Sequence, residues 1–233
     1  MKTIFLASLA LLIALQDLPG AKPVPKDGEW LKRHDGFVEE AKKGAIEVLF
    51  LGDSITDSWR KNPAKKIWDE RFAPLKAANF GISGDRTQHV LWRIQNGEWP
   101  GLAPKAVVLM IGTNNIGGKP SGEPTTSASE GIQAIVKEIQ GRSPKTKTLL
   151  LAIFPRSEKP DHVQRVQVKE INDAIAKLDD GGKTVKFLDI GEKFLQPDGT
   201  LTKEIMPDFL HLTEKGYQIW ADAIQESLAE LLK

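Results

Sequence analysis

Four short stretches of this sequence hold residue types that could do chemistry together. In Gly52-Asp53-Ser54 a serine closes a short apolar run. A serine on a tight turn after a buried strand is held clear of the packed layer. Its hydroxyl pKa is far too high for unaided attack on a carbonyl, so it needs a base. Asp208-Phe209-Leu210-His211 can supply one. An aspartate three residues before a histidine can fold back in one turn and accept the imidazole Nδ1–H. That leaves Nε2 free to take a proton and stabilises the imidazolium that follows. Attack on a carbonyl creates an oxyanion, which needs preorganised N–H donors. Gly84, in Gly81-Ile82-Ser83-Gly84, can bring a backbone N–H close to a substrate because it has no side chain in the way. Asn114 directly follows another apolar run and offers a side-chain amide, and the backbone N–H of Ser54 is a third donor.

Each stretch also has a plainer reading. Serine and aspartate at a strand-to-helix turn cap helices routinely. Glycine and asparagine serve turns. An Asp–His pair can be a satisfied surface histidine with a capping aspartate. His34, His89 and His162 lack an aspartate at the same spacing and are read in that plain way, His89 as packing within a helix. What favours catalysis is the agreement of a nucleophile, an Asp–His pair and oxyanion donors in one chain.

The elements that must position these residues follow a rhythm. Short apolar runs at 47–51, 77–81, 105–111, 148–154 and 185–190 read as strands with little alternation, which suits a parallel sheet covered on both faces. Helical spacing appears at 86–95, 127–140, 161–178 and 214–232, with a short helix near 32–43. Alternating strands and helices predict a three-layer α/β/α fold. In such sheets ligands bind beyond the carboxyl ends of the strands. The stretches 52–54, 81–84 and 112–115 therefore belong on one edge.

Length and composition bound the rest. The chain has 233 residues, no cysteine and a net charge of +1 with the signs mixed. Disulfides, thiolate metal sites and cysteine nucleophiles are excluded, and no basic stripe suggests nucleic acid. Lys2 precedes a 12-residue apolar run, Ile4 to Leu15, followed by Gln16, Asp17, Pro19 and Gly20. This is the layout of a secretory signal peptide, too short to span a bilayer comfortably. Residues 1–21 are read as that leader, 22–40 as a polar, Pro-rich exposed arm with a short helix, and 41–233 as one catalytic domain. The expected location is secreted or periplasmic, with no membrane span in the mature chain.

The ordered blocks carry a resemblance. Val48-Leu49-Phe50-Leu51-Gly52-Asp53-Ser54-Ile55, Asn79-Phe80-Gly81-Ile82-Ser83-Gly84-Asp85, Ile111-Gly112-Thr113-Asn114-Asn115 and Asp208-Phe209-Leu210-His211-Leu212-Thr213 together resemble the GDSL, or SGNH, hydrolase family. Within it the chain is most similar to the catalytic subunits of type Ib platelet-activating-factor acetylhydrolase and their bacterial relatives. The likeness covers about residues 40–232 and includes His89-Val90-Leu91-Trp92-Arg93, Asn96-Gly97-Glu98 and Pro155-Arg156. It implies a flavodoxin-like sheet of five parallel strands, Ser54 as nucleophile, His211 as base and Asp208 as its orienter. Ser54, Gly84 and Asn114 would form the oxyanion hole, and Ile55, Thr113 and Leu210 would wall an acyl pocket. No cofactor or metal is implied. The related subunits pair, so a homodimer is among the expectations.

Two features depart from the family. Asn115 stands where many members have aspartate, which leaves the donor Asn114 in place. The leader sets the chain apart from the cytosolic animal subunits and points away from phospholipid mediators. Branched aliphatics beside the nucleophile and base favour a short acyl group, acetyl above all, on a carbohydrate or other small ester. The rivals are a thioesterase or lysophospholipase on the same fold, and a non-catalytic carbohydrate-binding member. Trp59 and Trp99 could stack on a sugar if they are exposed, but tryptophans in a globule more often pack inside.

Overall fold

A computed structural model describes residues 19–117 and 123–233. Residues 1–18, most of the expected leader, lie outside the described residues. Five strands form one sheet: β1 (Val48–Gly52), β2 (Ala77–Gly81), β3 (Ala106–Met110), β4 (Lys147–Leu151) and β5 (Val185–Leu188). Every pair is parallel and the order is β2-β1-β3-β4-β5. This is the doubly wound, flavodoxin-like order, in which the winding reverses between β1 and β3. The register is flush at the carboxyl end, with Gly52 opposite both Gly81 and Met110. The chain therefore leaves β1, β2 and β3 side by side, along one edge.

The helices are α1 (Glu29–Lys42), α2 (Ser54–Asp57), α3 (Ala64–Arg71), α4 (Thr87–Arg93), α5 (Thr113–Gly117), α6 (Thr125–Arg142), α7 (Val163–Ile175) and α8 (Glu214–Leu231). Two cores cover the two faces of the sheet, as a parallel sheet requires. Leu49 and Leu51 of β1 pack with Phe37 of α1, Val90 of α4, Ile132 and Ile135 of α6 and Ile171 of α7. Val48 and Phe50, alternating with them, pack with Trp59, with Ile67 of α3 and with Trp220 and Ile224 of α8. No helix among the described residues is long and apolar enough to cross a membrane.

Strands and long helices lie where apolar runs and helical spacing place them, with shifted ends. β4 stops at Leu151, although its apolar run continues, buried, to Phe154. α1 begins at Glu29, earlier than expected, and so carries Trp30 into the core. The helices α2, α3 and α5 are too short to show a period and escape a sequence reading.

The segment read as an exposed arm is partly docked. Val24 N–H donates to Gln88 O (3.2 Å), and just ahead of the arm, within the segment read as leader, Gly20 N–H donates to Ser127 Oγ (2.6 Å). Trp59 and Trp99 are 0% and 4% exposed, so neither can be a sugar-stacking platform. His34, read as a surface residue, is buried between Glu98 and Asn96 O, while His89 packs under α1 as its helical position suggests. The aspartate-spacing test missed His34's partner because Glu98 arrives from a distant turn.

Candidate active site

β1 delivers Gly52-Asp53-Ser54 to the sheet edge. A Cβ on Gly52 would lie 2.1 Å from Thr56 Oγ1 and 2.5 Å from Met110 O, so α2 can start this close only over a glycine. The helix cap and the contact with His211 are then divided between two neighbours. Asp53 is the N-cap of α2, its Oδ1 accepting from Ile55 N–H at 3.0 Å. The hydroxyl of Ser54 instead faces His211, with Oγ 2.9 Å from Nε2.

His211 arrives on the loop before α8. Thr213 caps that helix, accepting from Gly216 N–H (3.3 Å), and its own N–H donates to Ile205 O. One turn into α8, Tyr217 OH donates to Ile55 O at 2.7 Å, which ties the helix to the residue after Ser54. Asp208 uses both carboxylate oxygens. Oδ1 accepts from the N–H groups of Leu210 (3.1 Å) and His211 (2.8 Å), and Oδ2 accepts the His211 Nδ1–H at 2.6 Å. The turn needs Phe209 in the left-handed region, at φ 56°, and Phe209 O is held by Ser157 N–H at 2.9 Å. Partial burial pushes the Asp208 carboxyl up, but the hydrogen bonds from the His211 ring and backbone outweigh it and hold the pKa below the usual value.

The residues expected to be donors lie on the neighbouring strand ends. Gly84 follows β2 at φ 74°, the third residue of a turn closed by Asp85 N–H to Ile82 O at 3.1 Å. Asn114 follows β3, and its Nδ2 donates to Asp85 O at 2.9 Å, which joins the two turns. The amide has a second hydrogen beyond that bond. Thr113 is held from behind by Arg156 Nη1, which donates to its carbonyl (2.8 Å) and its hydroxyl (3.0 Å). Ile55 and Thr113 are each 1% exposed, Ile55 within the core, while Leu210 is half-buried at its edge. A groove of about 790 Å³, lined in part by Ala21, Leu91, Gln95 and Ala134, lies between the arm and helices α4 and α6 and contains none of these residues.

Several residues around the site gave no sequence signal as site residues. Arg33 and Arg60 both donate to the carboxylate of Asp57 and to Gly81 O, fixing the end of β2. Asn115 donates to Glu123 Oε2 at 2.8 Å, so the departure from aspartate here avoids two facing carboxylates. Asp53 is fully buried, its Oδ2 has no partner among the described residues, and burial pushes its pKa up to about 7.

A doubly wound parallel sheet that brings a Ser–His–Asp chain of hydrogen bonds to its switch point has the layout of a hydrolase built on an α/β scaffold. Comparisons with known proteins make this specific. The family model described as GDSL-like Lipase/Acylhydrolase family matches residues 50–219. The chain is 36% identical over 222 residues to platelet-activating factor acetylhydrolase IB subunit alpha1 of Homo sapiens, covering 93% of this chain and 92% of that one. The fold is shared with a GDSL-like lipase from Bacteroides thetaiotaomicron (TM-score 0.68, 20% identity, 84% of this chain and 97% of that chain). It is also shared with an acetylxylan esterase from Geobacillus stearothermophilus (TM-score 0.61, 20% identity, 79% and 93%). The chain belongs to the GDSL-like lipase/acylhydrolase family. It is a carboxylic ester hydrolase.

Proposed function

We propose that this protein removes short acyl groups, acetyl above all, from small or carbohydrate esters by two-step acyl transfer on Ser54. The observation that carries the reading is the continuous hydrogen-bond chain Ser54 Oγ–His211 Nε2, His211 Nδ1–Asp208 Oδ2, at 2.9 and 2.6 Å. In the first step Oγ attacks the ester carbonyl carbon while its proton passes to Nε2. Asp208 stabilises the imidazolium without taking the proton. The carbonyl oxygen becomes an oxyanion facing the N–H groups of Ser54 and Gly84 and the Asn114 amide. The tetrahedral centre collapses, the C–O bond to the alcohol breaks, and the alcohol leaves with the proton from Nε2. Water then gives a proton to His211 and attacks the acyl-enzyme, and the acid and free Ser54 are released by the same steps in reverse.

Acetyl is supported by the names of the curated relative and of one structural neighbour, and by Leu210, half-buried beside His211; Ile55 and Thr113, each 1% exposed, add no support because they are packed inside. A second reading, an acetyl ester of a phospholipid, is favoured by the 36% identity to a platelet-activating factor acetylhydrolase subunit. A panel of acetylated sugars, acetyl phospholipid and acetyl, butyryl and octanoyl nitrophenyl esters separates these. The first reading expects the acetyl ester to be hydrolysed fastest and acetylated sugars to exceed acetyl phospholipid. A maximum at octanoyl would replace it with a long-chain thioesterase or lysophospholipase. Ser54→Ala should lose hydrolysis and labelling by an organophosphonate; full activity in that variant would remove the nucleophile assignment. Export is proposed on the leader pattern of Lys2 and Ile4 to Leu15. Recovery of the native protein only from the cytosol, with the leader intact, would refute it.

A further inference from the structure

Behind the Gly84 turn lies a buried charged cluster that acyl transfer as described does not use. Asp85 is 0% exposed, and its carboxylate accepts from Trp30 Nε1 (2.7 Å), Arg93 Nε (3.1 Å) and Lys26 Nζ (3.3 Å). Arg93, equally buried, gives Nη1 to Glu98 Oε1 at 2.6 Å, and Glu98 also meets His34 Nδ1 at 3.3 Å. The formal charges of Lys26 and Arg93 balance those of Asp85 and Glu98. Burying such charges is expensive in desolvation, and the cluster gains little net stability from it. What it supplies is a fixed geometry. Lys26 is its one member with an accessible side chain, 30% exposed, and it makes a further contact: Nζ donates to the carbonyl oxygen of Gly84 at 2.8 Å.

The conformation of this turn decides whether the Gly84 N–H is presented. A positive φ at the third residue is the mark of a type II turn, whose central peptide is flipped relative to type I. A flip of the Ser83–Gly84 peptide would turn the N–H away from the site. Lys26 bonds at once to the carbonyl that follows Gly84 and to the side chain of Asp85, which pins the outgoing half of the turn to the cluster. The same outgoing end is tied a second time, by Asn114 Nδ2 to Asp85 O.

We propose that Lys26 is a positioning residue for acyl transfer: the segment ahead of the sheet reaches over 58 residues of sequence to lock the turn that offers the Gly84 N–H. This rests on the reading of Gly84 as an oxyanion donor. The test uses the full chain and nitrophenyl acetate, comparing wild type, Lys26→Met, Lys26→Arg, Gly84→Pro and Ser54→Ala. A displaced rather than deleted donor should lower kcat of Lys26→Met about tenfold, with kcat/KM falling equally and KM held within about twofold. The rate of organophosphonate labelling should fall by a similar factor. Because Lys26 is partly exposed, its thermal midpoint should stay within about 3 °C of wild type. Lys26→Arg, which keeps charge and donors, should recover most of the loss. Wild-type kcat in Lys26→Met would overturn the inference. So would a loss in both Lys26 variants that tracks a fall in thermal midpoint, since that is simple destabilisation. An active Ser54→Ala would instead sink the acyl-transfer reading, and wild-type kcat in Gly84→Pro, which has no backbone N–H, the donor assignment.

Discussion

Ser54 and its neighbours show how one residue type is assigned to one task by its surroundings. Asp53 takes the helix cap, and that leaves the Ser54 hydroxyl free for His211. Asp208 sets the tautomer of His211 by accepting Nδ1–H. Asp208→Asn should therefore keep the fold, since it can still accept from the Leu210 and His211 N–H groups, while kcat falls by about 10⁴ because its amide donates to Nδ1 and leaves the ring in the wrong tautomer. Kinetics on nitrophenyl acetate beside a thermal melt check both halves. Asp53 gives a pH prediction. Burial moves its carboxyl from 3.8 to about 7, aided by Asp85 and opposed by the Ile55 N–H bond. Between those values the folded protein holds a proton that the unfolded chain has released, so stability falls as pH rises from about 4 to 7. Denaturant titrations across that window should show the wild type losing stability relative to Asp53→Asn, whose amide stays neutral. Parallel curves would mean that Asp53 is ionised throughout.

At the scale of elements, the catalytic distances depend on two attachments. The first is the start of α8 on the residue after Ser54, through Tyr217 OH to Ile55 O within the aromatic cluster of Trp59, Trp220 and Phe50. Tyr217→Phe keeps the ring and leaves a buried carbonyl without its donor, which should lower stability by about 1–3 kcal/mol. Loss of that tether should also lengthen the Ser54–His211 contact, so kcat should drop while KM changes little. Urea unfolding and steady-state kinetics on the same preparation would show it, and an unchanged kcat would mean that the Thr213 cap alone aligns α8. The second attachment is between turns, where the Asn114 amide bridges to Asp85 O and Arg156 holds Thr113. Parallel strands in flush register put three turns within reach, but these side chains set their angles.

At the scale of the whole molecule, the segment before the sheet is part of the working structure. Gly20 is buried against α6: its N–H donates to Ser127 Oγ at 2.6 Å and its carbonyl accepts from Thr87 Oγ1 at 2.8 Å. A cut after Ala21, where the leader is read to end, would remove both bonds and leave Ser127 Oγ with Glu123 and Thr87 Oγ1 with Asn115 and Gln88. A chain beginning at Pro19 should therefore melt higher than one beginning at Lys22, by several degrees if two buried hydrogen bonds worth about 1 kcal/mol each are lost. If the leader is removed in the native protein, its new N-terminus should fall at or before Pro19, which mass spectrometry of the purified chain would read directly. Equal melting of the two truncated chains would count against both statements.

Much of this protein is written in local sequence. Apolar runs of strand length ending on glycine-rich turns predict a parallel sheet with one reactive edge, and an aspartate three residues before a histidine predicts its own hydrogen bond. Both depend on residues close along the chain, so both can be read without a structure. Which strand lies beside which is a long-range property, and the β2-β1-β3 order is what carries Gly84 and Asn114 to either side of Ser54. Burial is long-range too: Trp59 and Trp99 could be imagined on the surface, and the closing of α8 and α6 over the sheet puts them inside. The arm is the clearest case. Lysine, proline and glycine in a polar stretch look like solvent-exposed chain, and nothing near Lys26 in sequence hints at Gly84. Only folding brings its ammonium to that carbonyl, because the partner of a charged group is chosen by distance in space.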